Sequence, residues 1–302
     1  MKNKIISIAK EVGFDLIGFS HSKKIENEFI DFYIEYLKNK YNGQLRYLER
    51  NLEKRFNPEK LLPSVKTIIT LGVNYYSEIP EESIFPRYLT KIDYHKVIKK
   101  MLKTFIENLK KEFGNFEYRF FVDTGPVFEK YWAKKSGIGF IGKNSLIINR
   151  EFGSFIFLSE VFIDKEIEPD KEIENLCGEC KKCVESCPTG AILENGIIDA
   201  RKCISYLTIE KKELSEYEKG LIKKGKRIFG CEICQEVCPF NQNLKKTNKE
   251  ELKISEVLKD LKIHNFKDID FEIFKDTVIK RKLKILDKKN FYDKILQNIK
   301  LK

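Results

Sequence analysis

The alternation of apolar and polar positions divides the chain into three textures. From residue 1 to about 170, helical and strand patterns alternate. KNKIISIAKEVG sets Ile5, Ile8, Ala9 and Val12 on one face at helical spacing, and FDLIGFS after it reads as a short buried strand. IENEFIDFYIEYLKNK repeats apolar residues at helical spacing. VKTIITLGVNYY, β-branched and uncharged beyond Lys66, predicts a central strand. DYHKVIKKMLKTFIENLKKEFG predicts a long amphipathic helix that starts after Asp93 and ends at Gly114. YRFFVDTG predicts a strand running into a turn, PVFEKYWAKKSG a helix with a proline in its first turn, and SFIFLSEVFI another strand. This order predicts a layered α/β or α+β domain built on one sheet. Residues 176 to about 240 read as short helices and loops, and the remainder as helical with polar breaks. No internal repeat or low-complexity linker interrupts the three regions.

Length and charge refine this picture. The 302 residues, 42% of them hydrophobic, are enough for a sizeable core in two or three modules. No apolar run approaches the roughly 20 residues of a membrane span. The basic-then-apolar start MKNKIISIAKEVGFDLIGFS is broken by Lys10, Glu11 and Asp15, which predicts an amphipathic first helix rather than a secretory leader. No twin-arginine signal is present, and a cytoplasmic location is expected. Thiols stay reduced there, so clustered cysteines point to metal. The formal net charge is +11, and from Asn241 to Lys302 there are 17 Lys+Arg against 10 Asp+Glu, a local excess of +7. Such an excess is compatible with a polyanion such as RNA, and equally with basic faces that merely solvate.

All 8 cysteines lie in one region. CGECKKCVESCPTG carries the spacing C-x2-C-x2-C-x3-C-P, CEICQEVCPFN follows further on, and Cys203 stands between them. In two-cluster ferredoxins the fourth cysteine of such a run, the one before proline, ligates the other cluster. On that pattern Cys177, Cys180, Cys183 and the remote Cys238 hold one 4Fe–4S cluster, and Cys187, Cys203, Cys231 and Cys234 hold the second. No cysteine is left over. Two structural zinc sites are the competing reading, because C-x2-C pairs also suit zinc, but zinc does not account for the C-x3-C-P ending that occurs twice.

The stretch DTGPVFEKYWAKKSGIGFIGKNSLIINREFGSFIFLSEV is dense in glycine. Gly137, Gly139 and Gly142 form a G-x-G-x-x-G pattern, but KNSLII after it reads as a strand, which argues against a dinucleotide cradle. The glycines serve either close approach to a large flat ligand or tight turns. Taken alone, Asp123 reads as a turn or cap residue.

This stretch, together with CGECKKCVESCPTGAI, RKCISYLTIE and GCEICQEVCPFN, closely resembles the epoxyqueuosine reductase family. KRFNPEKLLPSVKTIITLGVNYY and DYHKVIKK extend the likeness upstream, so that it covers residues 1 to about 245. The resemblance implies cobalamin and two 4Fe–4S clusters, used to reduce the epoxide of epoxyqueuosine to the alkene of queuosine at the wobble base of tRNA. It implies an α+β architecture: an N-terminal α/β cobalamin-binding and catalytic domain over residues 1–170, a ferredoxin-like double-cluster domain over 171–243, and a basic helical region over 244–302. Asp123 matches the family's proton donor in D-T-x-P, and the cysteines match its cluster ligands. Arg55, Ile147, Leu158, Ser205 and Glu232, with Asp123, fall at cobalamin contacts. Where some relatives carry a cysteine near cobalt this chain has Pro86, and the helical repeats of longer members are missing after Asn243. Expected partners are a queuosine-type anticodon stem-loop and an external electron donor such as flavodoxin or ferredoxin with its reductase, with neither DNA nor membrane. A cobalamin-dependent reductive dehalogenase, a double-cluster electron carrier and a zinc-stabilised RNA-binding module are the alternatives. His95 reads as a helix-start histidine, with lower cobalt ligand as the alternative, and His21 and His264 read as surface residues.

Overall fold

Helix α1 (Lys2–Val12) turns Ile5, Ile8 and Ala9 inward and stops at Gly13, whose φ of 103° suits a glycine cap. Strand β1 (Leu16–His21), helix α2 (Asn27–Lys38) and the short helix α3 (Leu52–Phe56) lead into strand β2 (Thr67–Asn74). Helix α4 (Tyr94–Phe113), strand β3 (Tyr118–Phe121), helix α5 (Glu129–Lys135), the short strands β4 (Phe140–Ile141) and β5 (Ile147–Ile148), and strand β6 (Ile156–Ile163) complete the first region. The computed structural model describes residues 1–193, 196–261, 271–279 and 297–301, and His264 and much of the basic tail lie outside them.

The main sheet has four strands in the order β1-β2-β6-β3, antiparallel throughout, while β4 and β5 form a separate ladder. Every residue of β2 is buried, because helices cover both faces of the sheet. Ile69, Leu71 and Val73 pack with Leu102 and Phe105 of α4 and with α1, whereas Ile68 joins Phe162 and Trp132 of α5 on the opposite face. Two covered faces leave no solvent-facing position, which is why this strand reads as an unbroken apolar run.

The α5 layer sits close on the sheet. A Cβ added at Gly18 of β1 would come within 2.1 Å of the Ser136 carbonyl oxygen. Since that neighbour is backbone, Gly18→Ala is expected to cost at least about 2 kcal/mol through overpacking. A thermal unfolding curve followed by circular dichroism should show the midpoint lowered by several degrees.

Helix α5 begins later than its sequence predicts. Phe128 precedes its first turn with non-helical φ −91° and ψ 78°, and Pro126 lies in the preceding turn. The reason is aromatic packing: the Phe128 ring is held against Phe29, Tyr33 and Phe56, with the Arg55 guanidinium 5.8 Å from its centre. The ring's anchorage keeps the chain out of helix until Glu129.

Beyond the sheet come the short helices α6 (Lys182–Glu185), α7 (Ile204–Ile209), α8 (Glu216–Lys223), α9 (Ile233–Glu236) and α10 (Glu256–Asp260). A second core of Ile84, Phe85, Leu89, Ile228, Phe229, Leu258 and Phe274 joins the loop before α4 to the cysteine region and the tail. Among the described residues no helix is long and apolar enough to cross a membrane.

Candidate active site and cluster segment

Strand β3 ends at Phe121, opposite Glu160 of β6, and the chain turns at once. Asp123 holds this turn at φ 55°, a left-handed conformation that aspartate accepts more readily than most residues. Its amide donates to Glu129 Oε1 at 2.5 Å, while its carboxyl, 54% exposed, lies with Oδ2 at 3.1 Å from His95 Nε2. Asp93 caps α4 by accepting the His95 amide at 3.0 Å, and the same oxygen lies 2.7 Å from His95 Nδ1. Both ring nitrogens of His95 are therefore engaged by carboxylates, and neither is left for cobalt. The ring is buried and stacked on Tyr94, which stacks in turn on Phe157.

Charge is unevenly held around this turn. Burial lowers the His95 pKa, but hydrogen bonds to Asp123 and Asp93 outweigh it and leave the imidazole above its ordinary value. Withdrawal from water, then the Asp123 carboxylate, pushes Glu129 upward. Glu160 is fully buried on β6, and neither carboxylate oxygen has a hydrogen-bond partner among the described residues. Burial, then the Glu129 carboxylate, raises it well above the carboxylate range.

The cysteine thiols lie within electrostatic reach of one another. Burial raises Cys183, and the thiols of Cys177, Cys238 and Cys180 add to the effect. Cys231 is pushed up to about 11 by burial, opposed by the Ile233 amide, with Cys203 and Cys187 adding. Cys234 is raised by burial and then by Cys231 and Cys203, with Cys183 and Cys187 contributing. Among the described residues no three His, Cys, Asp or Glu side chains converge as they would on a single metal ion. Burial opposes the Cys187 thiolate, but the amides of Thr189, Ala191 and Ile192 and the Thr189 hydroxyl outweigh it; the Ala191 N–H donates to Sγ at 3.3 Å.

The glycine-rich stretch grips this segment. Lys143 Nζ donates to the carbonyls of Gly178 and Cys180 at 2.6 and 3.0 Å, and Asn144 Nδ2 donates to the Cys234 carbonyl at 3.3 Å. Asn241 accepts the Ser154 amide at 2.7 Å, tying the end of the cysteine region to the loop before β6. The glycines themselves make tight backbone packing. A Cβ at Gly139 would lie 2.4 Å from the Ile148 carbonyl oxygen, and Gly137 has φ 69°. That geometry serves turns, and it leaves no open approach at Gly139 for a flat ligand.

The remaining sequence-derived positions have defined partners. Arg55, 9% exposed, donates from Nε to the Arg50 carbonyl at 3.2 Å and from Nη2 to the Tyr47 carbonyl at 3.0 Å. Ile147 is buried, and Leu158 is half-buried on the α5 side of the sheet in one aliphatic group with Leu16, Ala133, Ile138, Ile141 and Ile156. Ser205 is half-buried in the first turn of α7, where its amide and that of Tyr206 face the Cys203 thiol. Glu232 differs from the rest. Its carboxylate is buried and accepts the Arg87 amide at 2.8 Å, Arg87 Nη1 at 3.0 Å and Arg227 Nη2 at 3.3 Å. Those three donors commit it to joining the cysteine region to the loop before α4.

The model of the "4Fe-4S double cluster binding domain" matches residues 176–241, and that of "Epoxyqueuosine reductase QueG, DUF1730" matches residues 55–124. An epoxyqueuosine reductase of Leadbetterella byssophila is 40% identical over 275 residues, covering 90% of this chain and 89% of that relative. The chain belongs to the epoxyqueuosine reductase family. It is thus an oxidoreductase with a double 4Fe–4S domain. The Escherichia coli member is 36% identical over 261 residues, covering 83% of this chain and 68% of its own. The Streptococcus thermophilus member superposes with a TM-score of 0.85 at 29% identity, covering 100% of this chain and 81% of that one. A family structure bound to a tRNA-Tyr epoxyqueuosine-modified stem-loop gives a TM-score of 0.84 at 29% identity, with 99% and 80% covered. The Bacillus subtilis member, described with its aspartate catalytic loop swung out of the active site, gives 0.82 at 28% identity, with 99% and 80% covered.

Several residues at the site were not singled out as functional in the sequence: Asp93, Glu129, Lys143, Asn144, Arg87 and Arg227. His95 was noted without a partner. The signals available were D-Y-H at a helix start and the G-K-N run, and neither names the residue it meets in space.

Proposed function

We propose that this protein reduces the epoxide of epoxyqueuosine in tRNA to the alkene of queuosine, with cobalamin as cofactor and Asp123 as the acid. The carrying observation is the Asp123 carboxyl, half-exposed on a strained turn and backed by an Asp93–His95 pair. A relative solved with a modified tRNA stem-loop, and another described with its aspartate catalytic loop swung out of the active site, support the substrate and the residue.

The chemistry of the residues present suits the cofactor: Leu16, Ile141, Ile156 and Leu158, partly buried on the buried Ile147, keep some apolar surface for a large ligand, and Arg55 keeps guanidinium N–H groups beyond the two it spends on carbonyls. Arg55, Asp123, Ile147, Leu158 and Ser205 would hold it, and any contact from Glu232 falls to its backbone. When bound and reduced, cobalamin would supply low-valent cobalt as the nucleophile and electron source for opening the epoxide. Cys177, Cys180, Cys183 and Cys238 would hold one cluster and Cys187, Cys203, Cys231 and Cys234 the other, and the clusters would supply one-electron transfer from an external donor. With cofactor and substrate bound and water excluded, Asp123 would hold a proton and give it to the oxygen freed from carbon.

The exposed Arg46, Tyr47 and Arg50 precede Arg55 and offer cations and an aromatic face to RNA. Residues 1–170 act as the catalytic domain, 171–243 as the electron conduit and 244–302 as a further basic surface.

Anaerobically purified protein should absorb broadly near about 400 nm from thiolate-bound clusters. Corrin bands should add on supplying cobalamin, and only the loaded protein should convert an epoxyqueuosine-modified stem-loop. Conversion without cobalamin would overturn the cofactor assignment.

A further inference from the structure

We propose that His95 is the proton reserve of this site, a positioning and proton-holding residue that reloads Asp123 so that two protons reach the substrate in one turnover. The proposal rests on the reading of Asp123 as the acid. Converting an epoxide to an alkene and water consumes two electrons and two protons, and a single carboxyl carries one proton. Once substrate covers the exposed face of Asp123, bulk water no longer reaches it, and the second proton must come from the protein side.

His95 occupies that side. It is 5% exposed, with Nε2 at 3.1 Å from Asp123 Oδ2. Asp93 fixes the ring at Nδ1, and stacking on Tyr94 at 4.0 Å limits its rotation. The groups facing the imidazole are therefore Asp93 from the helix start and Asp123 from the turn, with Glu129 beyond, bonded to the Asp123 amide. The Asp93 carboxylate at Nδ1 favours the imidazolium while Asp123 is protonated, and once Asp123 has given up its proton both neighbours are carboxylates, in agreement with the raised pKa of the ring.

The step balances as follows. The Asp123 O–H bond breaks and its proton goes to the oxygen leaving carbon. The His95 Nε2–H bond then breaks and an Oδ2–H bond forms on Asp123, with the N–H electron pair remaining on Nε2. The imidazole is left neutral, still donating Nδ1–H to an ionised Asp93. A second transfer from Asp123 completes water, and the two electrons arrive through the clusters from the external reductant. Product release reopens the site and the imidazole takes a proton from solvent.

His95→Gln can bond to both carboxylates and carries no transferable proton. With reduced, cobalamin-loaded protein and modified stem-loop RNA, wild-type single-turnover rates should fall as pH rises through the raised His95 pKa. H95Q should be about 10²-fold slower and should lack that limb. Independently of activity, the chain has only 3 histidines, so the NMR titration of the His95 ring is identified by its loss in H95Q. It should titrate above the ordinary value and move down in Asp123→Asn. Wild-type rate with the same limb in H95Q, or a ring titrating at or below the ordinary value, would overturn the proposal. Should H95Q fail to fold, Asp93→Asn must move the limb to lower pH, and an unmoved limb overturns it equally. If Asp123 is not the acid, D123N stays active whatever H95Q does. If only the relay is wrong, D123N is inactive and H95Q behaves as wild type.

Discussion

Asp123→Asn is expected to leave cobalamin binding and cluster reduction intact while slowing epoxide reduction 10²–10⁴-fold, the loss typical of a positioned general acid. Asparagine preserves size, and it suits the φ of 55° that the turn requires, since Asn and Asp share this region among non-glycine residues. The Asp123 amide still reaches Glu129, and an amide oxygen still faces His95 Nε2. What the variant loses is an acidic proton. A residue serving only as a turn would tolerate the change with near-normal turnover, so an assay with pre-loaded cobalamin and a strong chemical reductant separates the two roles. Substantial activity would sink the catalytic assignment.

The parts of this molecule legible in the sequence are those fixed by local pattern. The β2 run is legible because helices bury both its faces, and α4 because Asp93 caps its start and Gly114 ends it. The cysteine segment is legible because cluster ligation imposes short spacings on the chain itself. Through-space pairings leave no such trace. His95 and Asp123 stand 28 positions apart, and the D-Y-H signature alone fits an ordinary helix cap. Arg87 reaches Glu232 across 145 positions, and Lys143 reaches Cys180 across 37. The last two follow from docking of the cysteine region on the loop before α4 and on the β4–β5 turn, a tertiary event with no local periodicity. The late start of α5 has the same origin, because Phe128 answers to rings on α2 and α3 rather than to the proline before it.

Cys187→Ala is expected to remove one cluster and leave the other, so that iron and sulfide fall by about half and one EPR signal is lost. The placement of Cys187 makes this asymmetry specific. It follows Cys177, Cys180 and Cys183 in one run, yet the proposed pairing gives it to the second cluster, and its thiol acts on those of Cys203, Cys231 and Cys234. Its sulfur also accepts the Ala191 amide at 3.3 Å, so the alanine variant removes a ligand and leaves that donor without its acceptor. The first group keeps Cys177, Cys180, Cys183 and Cys238 and should retain its cluster. Turnover driven by the physiological donor should then collapse, because the electron path is cut at one of two stations. A strong reductant acting directly on bound cobalamin should restore part of it, since Asp123 and its partners lie outside the damaged group. Loss of zinc in place of iron would overturn the cluster assignment, and loss of both clusters together would show that the two groups do not assemble separately.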